Sequence, residues 1–232
     1  MLIILTLLLA LAQPGDDPDR LYADRTNLAS AERAAAIWEE HLTQNPSDRE
    51  SAWKLARMCY WLGGHVPQAG RRAQYERGIE AGRRATTLAP NRPEGYFWLA
   101  ANMGAMADSF GLRQGLKYRV PIRQALEKVN ALDPGFQQGS GFRALGRWYQ
   151  KVPGLFGGSD EKAVELLQRS LTYNSNSTIS HYFLAETFLE MNRRAEARAE
   201  LQRVLDVPLD SQWTPEDLEF KAKAKSLLAT LR

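Results

Sequence analysis

The side chains best placed for chemistry are two arginines one helical turn apart. Arg143 and Arg147 are spaced by four, so on a helix they project from one face. Two planar guanidiniums at that spacing suit a carboxylate. A second stripe stands upstream at Trp53, Arg57 and Trp61, again four apart, with Tyr60 beside it. Phe97 and Trp98 lie between the two stripes and Tyr182 lies beyond them. Aromatic rings supply contact area at low entropic cost. The set therefore points to binding a peptide, or an organic acid with an apolar body, rather than to turnover. No catalytic constellation accompanies it in the sequence: there is no Gly-x-Ser-x-Gly elbow, no P-loop and no His-Glu-x-x-His. His41, His65 and His181 fall at no metal-ligand spacing. A non-enzymatic chain with no metal and no cofactor is expected. Cys59 is the single cysteine, which excludes an internal disulfide, and its register calls for a buried core thiol.

The elements that must carry these residues announce themselves by repetition. Leu-Ala-x-x-Cys starts at Leu55, Leu-Ala-x-x-Met at Leu99, Leu-Gly-x-x-Tyr at Leu145 and Leu-Ala-x-x-Phe at Leu184. A large, a small and another large residue at i, i+1 and i+4 form a ridge with a notch into which a neighbouring helix fits. Between copies a second periodic helix closes on a Pro turn, at Pro46, Pro90 and Pro134. This is the grammar of a tetratricopeptide repeat. The fold class is all-α: an α-solenoid of about four to five antiparallel helix pairs with a C-terminal capping helix opening at Thr214-Pro215-Glu216-Asp217. No stretch alternates Val, Ile or Thr with polar residues. The repeated leucines are 44, 46 and 39 apart, against about 34 in an uninterrupted array. The excess is assigned to inserts in the turns between paired helices. One follows Leu62-Gly63-Gly64, at residues 65–72, and one lies at 107–120, with Pro121 starting a helix. Ser159 or Asp160 caps the helix after the 152–160 turn, and Ala163, Leu167 and Ser170 face inward.

In this repeat class the first helix of each pair lines a concave face. The expected groove is therefore Trp53, Arg57, Tyr60, Trp61, Phe97, Trp98, Arg143, Arg147 and Tyr182, with Lys54, Ala101, Gln150, Lys151, Phe183, Glu186 and Glu190 among the further lining.

Thirty basic and 27 acidic side chains leave a net charge of +3, with the signs interspersed. Arg71-Arg72, Arg83-Arg84 and Arg193-Arg194 are pairs rather than patches, so nucleic acid is not expected as a partner. Residues 1–12 are almost wholly apolar and end in Ala10-Leu11-Ala12 ahead of Gln13-Pro14, like a secretory signal with an Ala-x-Ala cleavage site. No Lys or Arg precedes that run, and no Cys follows it to take a lipid. The expected division is a signal peptide at 1–12, a flexible leader at 13–20 and a repeat domain at 21–232, in a periplasmic or secreted protein.

One stretch carries a closer likeness. Leu145-Gly146-Arg147-Trp148-Tyr149, then Val152-Pro153-Gly154, then Gly157-Gly158-Ser159-Asp160-Glu161-Lys162-Ala163 resembles the T component of tripartite ATP-independent periplasmic (TRAP) transporters. The resemblance runs over residues 53–206. It implies an all-α repeat fold that docks a periplasmic solute-binding protein and offers a groove or pore to a hydrophobic or anionic organic solute. Family members are often lipoproteins, and the missing lipobox Cys sets this chain apart. Two other classes remain open: a self-assembling repeat protein whose inserts make a homo-oligomer, and a cytosolic adaptor anchored by its apolar start.

Overall fold

A computed structural model describes residues 16–231, so the signal-peptide reading of residues 1–12 lies outside the described residues. Within them the chain forms eleven α-helices: α1 (Pro18–Ala23), α2 (Leu28–Gln44), α3 (Arg49–His65), α4 (Gln68–Leu88), α5 (Pro93–Phe110), α6 (Leu112–Leu132), α7 (Phe136–Lys151), α8 (Asp160–Tyr173), α9 (Thr178–Glu190), α10 (Arg194–Asp206) and α11 (Thr214–Thr230). They stack as five antiparallel pairs with α11 as the cap. The leader expected to run to residue 20 is already helical from Pro18, because Asp17 caps α1 by accepting from the Asp19 amide.

The ridges pack as their spacing requires. Leu55, Ala56 and Cys59, then Ala100 and Met103, then Leu145, then Leu184, Ala185 and Phe188 are core, while Leu99 and Tyr149 are partly buried against it. The notch admits close approach: a Cβ on Gly146 would come within 2.8 Å of Leu167 Cγ on the facing α8. Burial pushes the Cys59 thiol up to about 12, so it is an inert apolar filler. Helix starts follow the capping signals: Asp48 accepts from the amides of Glu50 and Ser51, and Ser159 accepts from the Lys162 amide.

The inserts take a different form from the loops expected. The turn between α3 and α4 is two residues, Val66 and Pro67, and that between α5 and α6 is Gly111 alone. The added length is helix: α4 and α6 have 21 residues each, whereas α9 and α10 have 13. Gly63 does not stop α3. A Cβ there would stand 2.2 Å from the Tyr75 ring, so the glycine serves helix contact. α3 runs on to His65, with Val66 as its C-cap; the glycine stop belongs to α5, at Gly111 with φ +78°, a conformation that favours glycine. Pro121 sits inside α6.

α11 covers the last apolar face: Ala224 joins Ala185, Leu201 and Val204, with Leu227, Leu228 and Leu231 packed alongside. Lys221 Nζ donates to the carbonyls of Val204, Leu205 and Val207 at 2.9, 2.7 and 2.6 Å, satisfying the open end of α10. Thr214 is the first helical residue rather than the cap, and Trp213 precedes it with no side-chain cap bond.

The α1–α2 turn and the end of α3 also meet α11. Arg25, 3% exposed in the α1–α2 turn, donates from Nη2 to Glu216 Oε2 of α11 at 2.6 Å. Trp61 Nε1 donates to the Arg25 carbonyl at 2.9 Å. His65 at the end of α3 stacks on Trp61 with centroids 3.7 Å apart and lies 2.7 Å from Glu219 Oε1. The first and last repeats are thus clasped across the concave side.

The His65 half of this clasp titrates. The hydrogen bond to Glu219 raises the His65 pKa, against the opposing effect of burial. The same bond lowers that of Glu219. Stabilisation from His65 is therefore complete below about 6.5 and is lost as pH rises through its raised folded pKa. That from Glu219 is present above about 4.3 and is lost as pH falls through its depressed one. The stability difference between the native chain and His65→Gln should peak between those limits and shrink above neutrality. Both groups are more than one-third exposed, so its amplitude should be under about 1 kcal/mol. Urea melts at several pH values measure it. A difference that grows with rising pH would contradict the assignment.

Candidate functional site

The nine expected groove residues separate into three groups. Trp61, Phe97 and Trp98 are buried. Phe97 meets Trp98 edge-on with centroids 5.0 Å apart and meets Phe136 at 5.4 Å. These rings bond repeat to repeat and offer no face to a ligand. Trp53 and Arg57 form the second group, covered by α1. The Arg57 guanidinium lies 3.6 Å from the Tyr22 ring centroid and 5.0 Å from that of Trp53, and its Nη2 is 3.5 Å from Asp19. Asp19 also takes Lys54 Nζ at 2.7 Å. α1 thus occupies the stripe that the i, i+4 spacing assigns to a ligand. Burial lowers the Arg57 pKa.

The third group is only partly covered: Tyr60 from α3, Arg143 and Arg147 from α7 and Tyr182 from α9. Arg147 is engaged. Its Nη1 donates to Glu186 Oε2 at 2.5 Å and to Gln150 Oε1 at 2.6 Å, and its guanidinium lies 4.4 Å from the Phe183 ring centroid. Tyr182 is half-buried, with its ring 5.3 Å from Phe220 of α11. Tyr60 and Arg143 remain. Among the described residues Arg143 has no hydrogen bond and no ion pair. It is half-buried, and desolvation lowers its pKa to about 10 even though Tyr60 and Asp217 both favour its charge. Tyr60 is 41% exposed, yet the protein around its hydroxyl desolvates it and raises its phenol to about 12. It keeps its proton at neutral pH and can donate. Each of these two side chains feels the other's charge.

Acids fence this pair. Asp217 of α11 is buried and already satisfied, accepting from Thr178 Oγ1 at 2.5 Å and from the Asp210 amide at 2.8 Å. The Asp108 carboxyl is raised by burial and partly held down by Arg147 and Lys151. A phenol donor beside a guanidinium without an ion pair, with the Tyr60 ring itself packed 5.8 Å from that of Trp98, can take one carboxylate or similar anion. Of the expected arginine pair, Arg147 is ion-paired with Glu186 and Arg143 is not ion-paired among the described residues.

The residues that reading by repeat missed are Tyr22, Arg25, Glu216, Asp217 and Phe220. All belong to the terminal helices or their turns. The capping motif at 214–217 flagged a helix start and gave no sign that Glu216 reaches Arg25, 191 positions earlier.

The helices that build this wall match a known family. The family model described as TRAP transporter T-component matches residues 91–230, which spans α5 to α11 and every residue of the α7 and α9 wall. The chain belongs to the TRAP transporter T-component family. A second model, Regulator of microtubule dynamics protein 1-3, matches residues 17–156, overlapping the first across α5 to α7. Both fit one run of helix pairs.

Among solved structures, a thermophilic TPR protein of Thermus thermophilus is similar at a TM-score of 0.69 and 23% identity, over 91% of this chain and 97% of that one. MamA is similar at 0.54 and 16%, over 90% and 98%. YrrB, described as a TPR protein with an unusual peptide-binding site, is similar at 0.51 and 13%, over 88% and 89%. At these identities the likeness establishes the tetratricopeptide fold. No curated protein matches the sequence. Family and fold together make this a protein-interaction scaffold linked to TRAP transport.

Proposed function

We propose that the chain is a periplasmic scaffold that docks a solute-binding protein and holds an organic acid or peptide carboxylate in its concave groove, on Arg143 and Tyr60. The observation that carries this reading is the half-buried Arg143 guanidinium, which makes no hydrogen bond or ion pair among the described residues. Desolvating a cation is costly unless something pairs it, and a bound anion supplies the partner. The signal-like residues 1–12 support export. The family supports a transporter partner, and a similar solenoid, YrrB, is described as carrying a peptide-binding site.

The test is a melting-temperature screen of the full chain against aliphatic and aromatic carboxylates, followed by calorimetry on whichever raises Tm. Arg143→Gln should cost about 1.5–3 kcal/mol of affinity, tenfold to a hundredfold. Arg147→Gln should cost less, because Glu186 already neutralises that guanidinium. Equal losses from the two changes would return the site to the pair. If no anion binds, and the chain instead associates with itself in sedimentation, the reading as a self-assembling repeat replaces this one. Pull-down from a periplasmic extract tests the partner separately.

A further inference from the structure

The outer helices carry a second surface that the concave site does not use. Of the nine exposed large hydrophobic side chains among the described residues, five crowd one edge: Leu112 (70% exposed), Leu116, Val120, Leu155 (90%) and Phe156. The first three are spaced by four along α6 and so form a single stripe. The other two belong to the 3-10 turn Gly154–Phe156 between α7 and α8. The groups are contiguous: the Arg119 guanidinium lies 5.2 Å from the Phe156 ring centroid, and Trp148 Nε1 donates to the Arg119 carbonyl at 2.9 Å.

Charge is biased here, unlike the interspersed pattern of the whole chain. α6, which carries the stripe, holds five basic side chains and one acidic one, Glu127, and Glu127 pairs with Arg123. Arg113, Lys117 and Arg119 flank the apolar stripe and have no acidic partner among the described residues. Arg72 of α4 lies over the Phe110 ring at 4.1 Å, extending the basic rim.

We propose that this edge rests on an anionic phospholipid surface. Leucines that protrude from turns, ringed by unpaired cations, match the two needs of interfacial binding: a few aliphatic tips to enter the acyl boundary and positive charge for the headgroup phosphates. No helix of the described residues is long and apolar enough to cross a membrane, and this edge has a different make-up. A nucleic acid would use the cations and gain nothing from Leu155. The placement would hold the concave groove beside a bilayer.

Flotation of the full chain with vesicles tests it, using phosphatidylcholine alone and phosphatidylcholine mixed with phosphatidylglycerol. Binding is expected to the mixed vesicles only, and to weaken in high salt. Replacing Arg113, Lys117 and Arg119 by Gln should reduce it by about tenfold or more. Leu155→Glu should reduce it as well, and at so exposed a position should leave the thermal melt unchanged. Residues 1–15 are identical in all variants, so these losses report on the edge alone. Absence of binding to the mixed vesicles, or binding that the variants leave intact, overturns the proposal. So does a concentration-dependent dimer that Leu155→Glu abolishes without any vesicle binding, because the edge would then meet a second copy.

Discussion

Glu216→Ala is expected to lower stability by about 3 kcal/mol, more than the loss of an ordinary surface ion pair. The reason is what it leaves behind. Arg25 is buried under Tyr22 and Trp61, with its guanidinium 4.6 and 5.0 Å from their ring centroids. Without Glu216 its remaining acceptors are the carbonyls of Tyr22 and Gln212, each at 3.4 Å, too long to compensate a buried cation. Replacing both partners together, as Arg25→Met with Glu216→Leu, should cost far less than the single change, because no orphan charge remains. Urea unfolding followed by tryptophan fluorescence measures both, and Trp61, whose indole bonds to Arg25, reports on the clasp itself. A double variant as unstable as the single one would mean that the pair acts through packing rather than charge. The clasp also bears on function. It joins α11 to the first repeat across the side where Tyr60 and Arg143 stand, so Glu216→Ala should widen access to them.

The clasp marks where the sequence stops being informative. The Leu-small-x-x-large ridges are legible because a local period of four states which residues meet the neighbouring helix, and in a solenoid that neighbour is also near in sequence. Cys59 and the Ser159 cap are readable for the same reason. The groove is not. Periodicity separates core face from free face and cannot say whether a terminal helix folds over the free one. Tyr22 and Asp19 cover Arg57 and Trp53, and Phe220 covers Tyr182, through contacts that no local pattern encodes. The expected loop after Gly63 and Gly64 fails for a simpler reason. The two glycines read as breakers, yet Gly63 is required by the approach of Tyr75, and a glycine needed for contact looks the same in sequence as one needed for a turn. The apolar edge is hidden likewise: Leu155 and Phe156 join the α6 stripe only where Arg119 meets the Phe156 ring.

The 152–159 turn between α7 and α8 separates those two uses of glycine within five residues. Gly154 has open space where a Cβ would stand, so Gly154→Ala should be nearly silent. Gly157 has φ +101°, a left-handed conformation that costs an L-residue about 1–2 kcal/mol. Gly158 is the constrained one. A Cβ there would lie 1.6 Å from the Val152 carbonyl oxygen and 2.9 Å from that of Tyr149. Both obstacles are backbone, so no side chain can swing aside. The turn would have to open, and with it would go the bond from the Ser159 amide to the Tyr149 carbonyl at 3.0 Å and the Ser159 cap of α8. Gly158→Ala should therefore cost about 3 kcal/mol or more, with Gly157→Ala intermediate. Thermal or urea melts of the three variants give the order directly. The same turn carries Leu155 and Phe156, so opening it should also disturb the apolar edge, whereas the concave pair, held by α3 and the body of α7, should keep its anion. A Gly158→Ala variant as stable as Gly154→Ala would show that the turn has slack for a methyl group and that its Gly-Gly pair serves Gly157 alone.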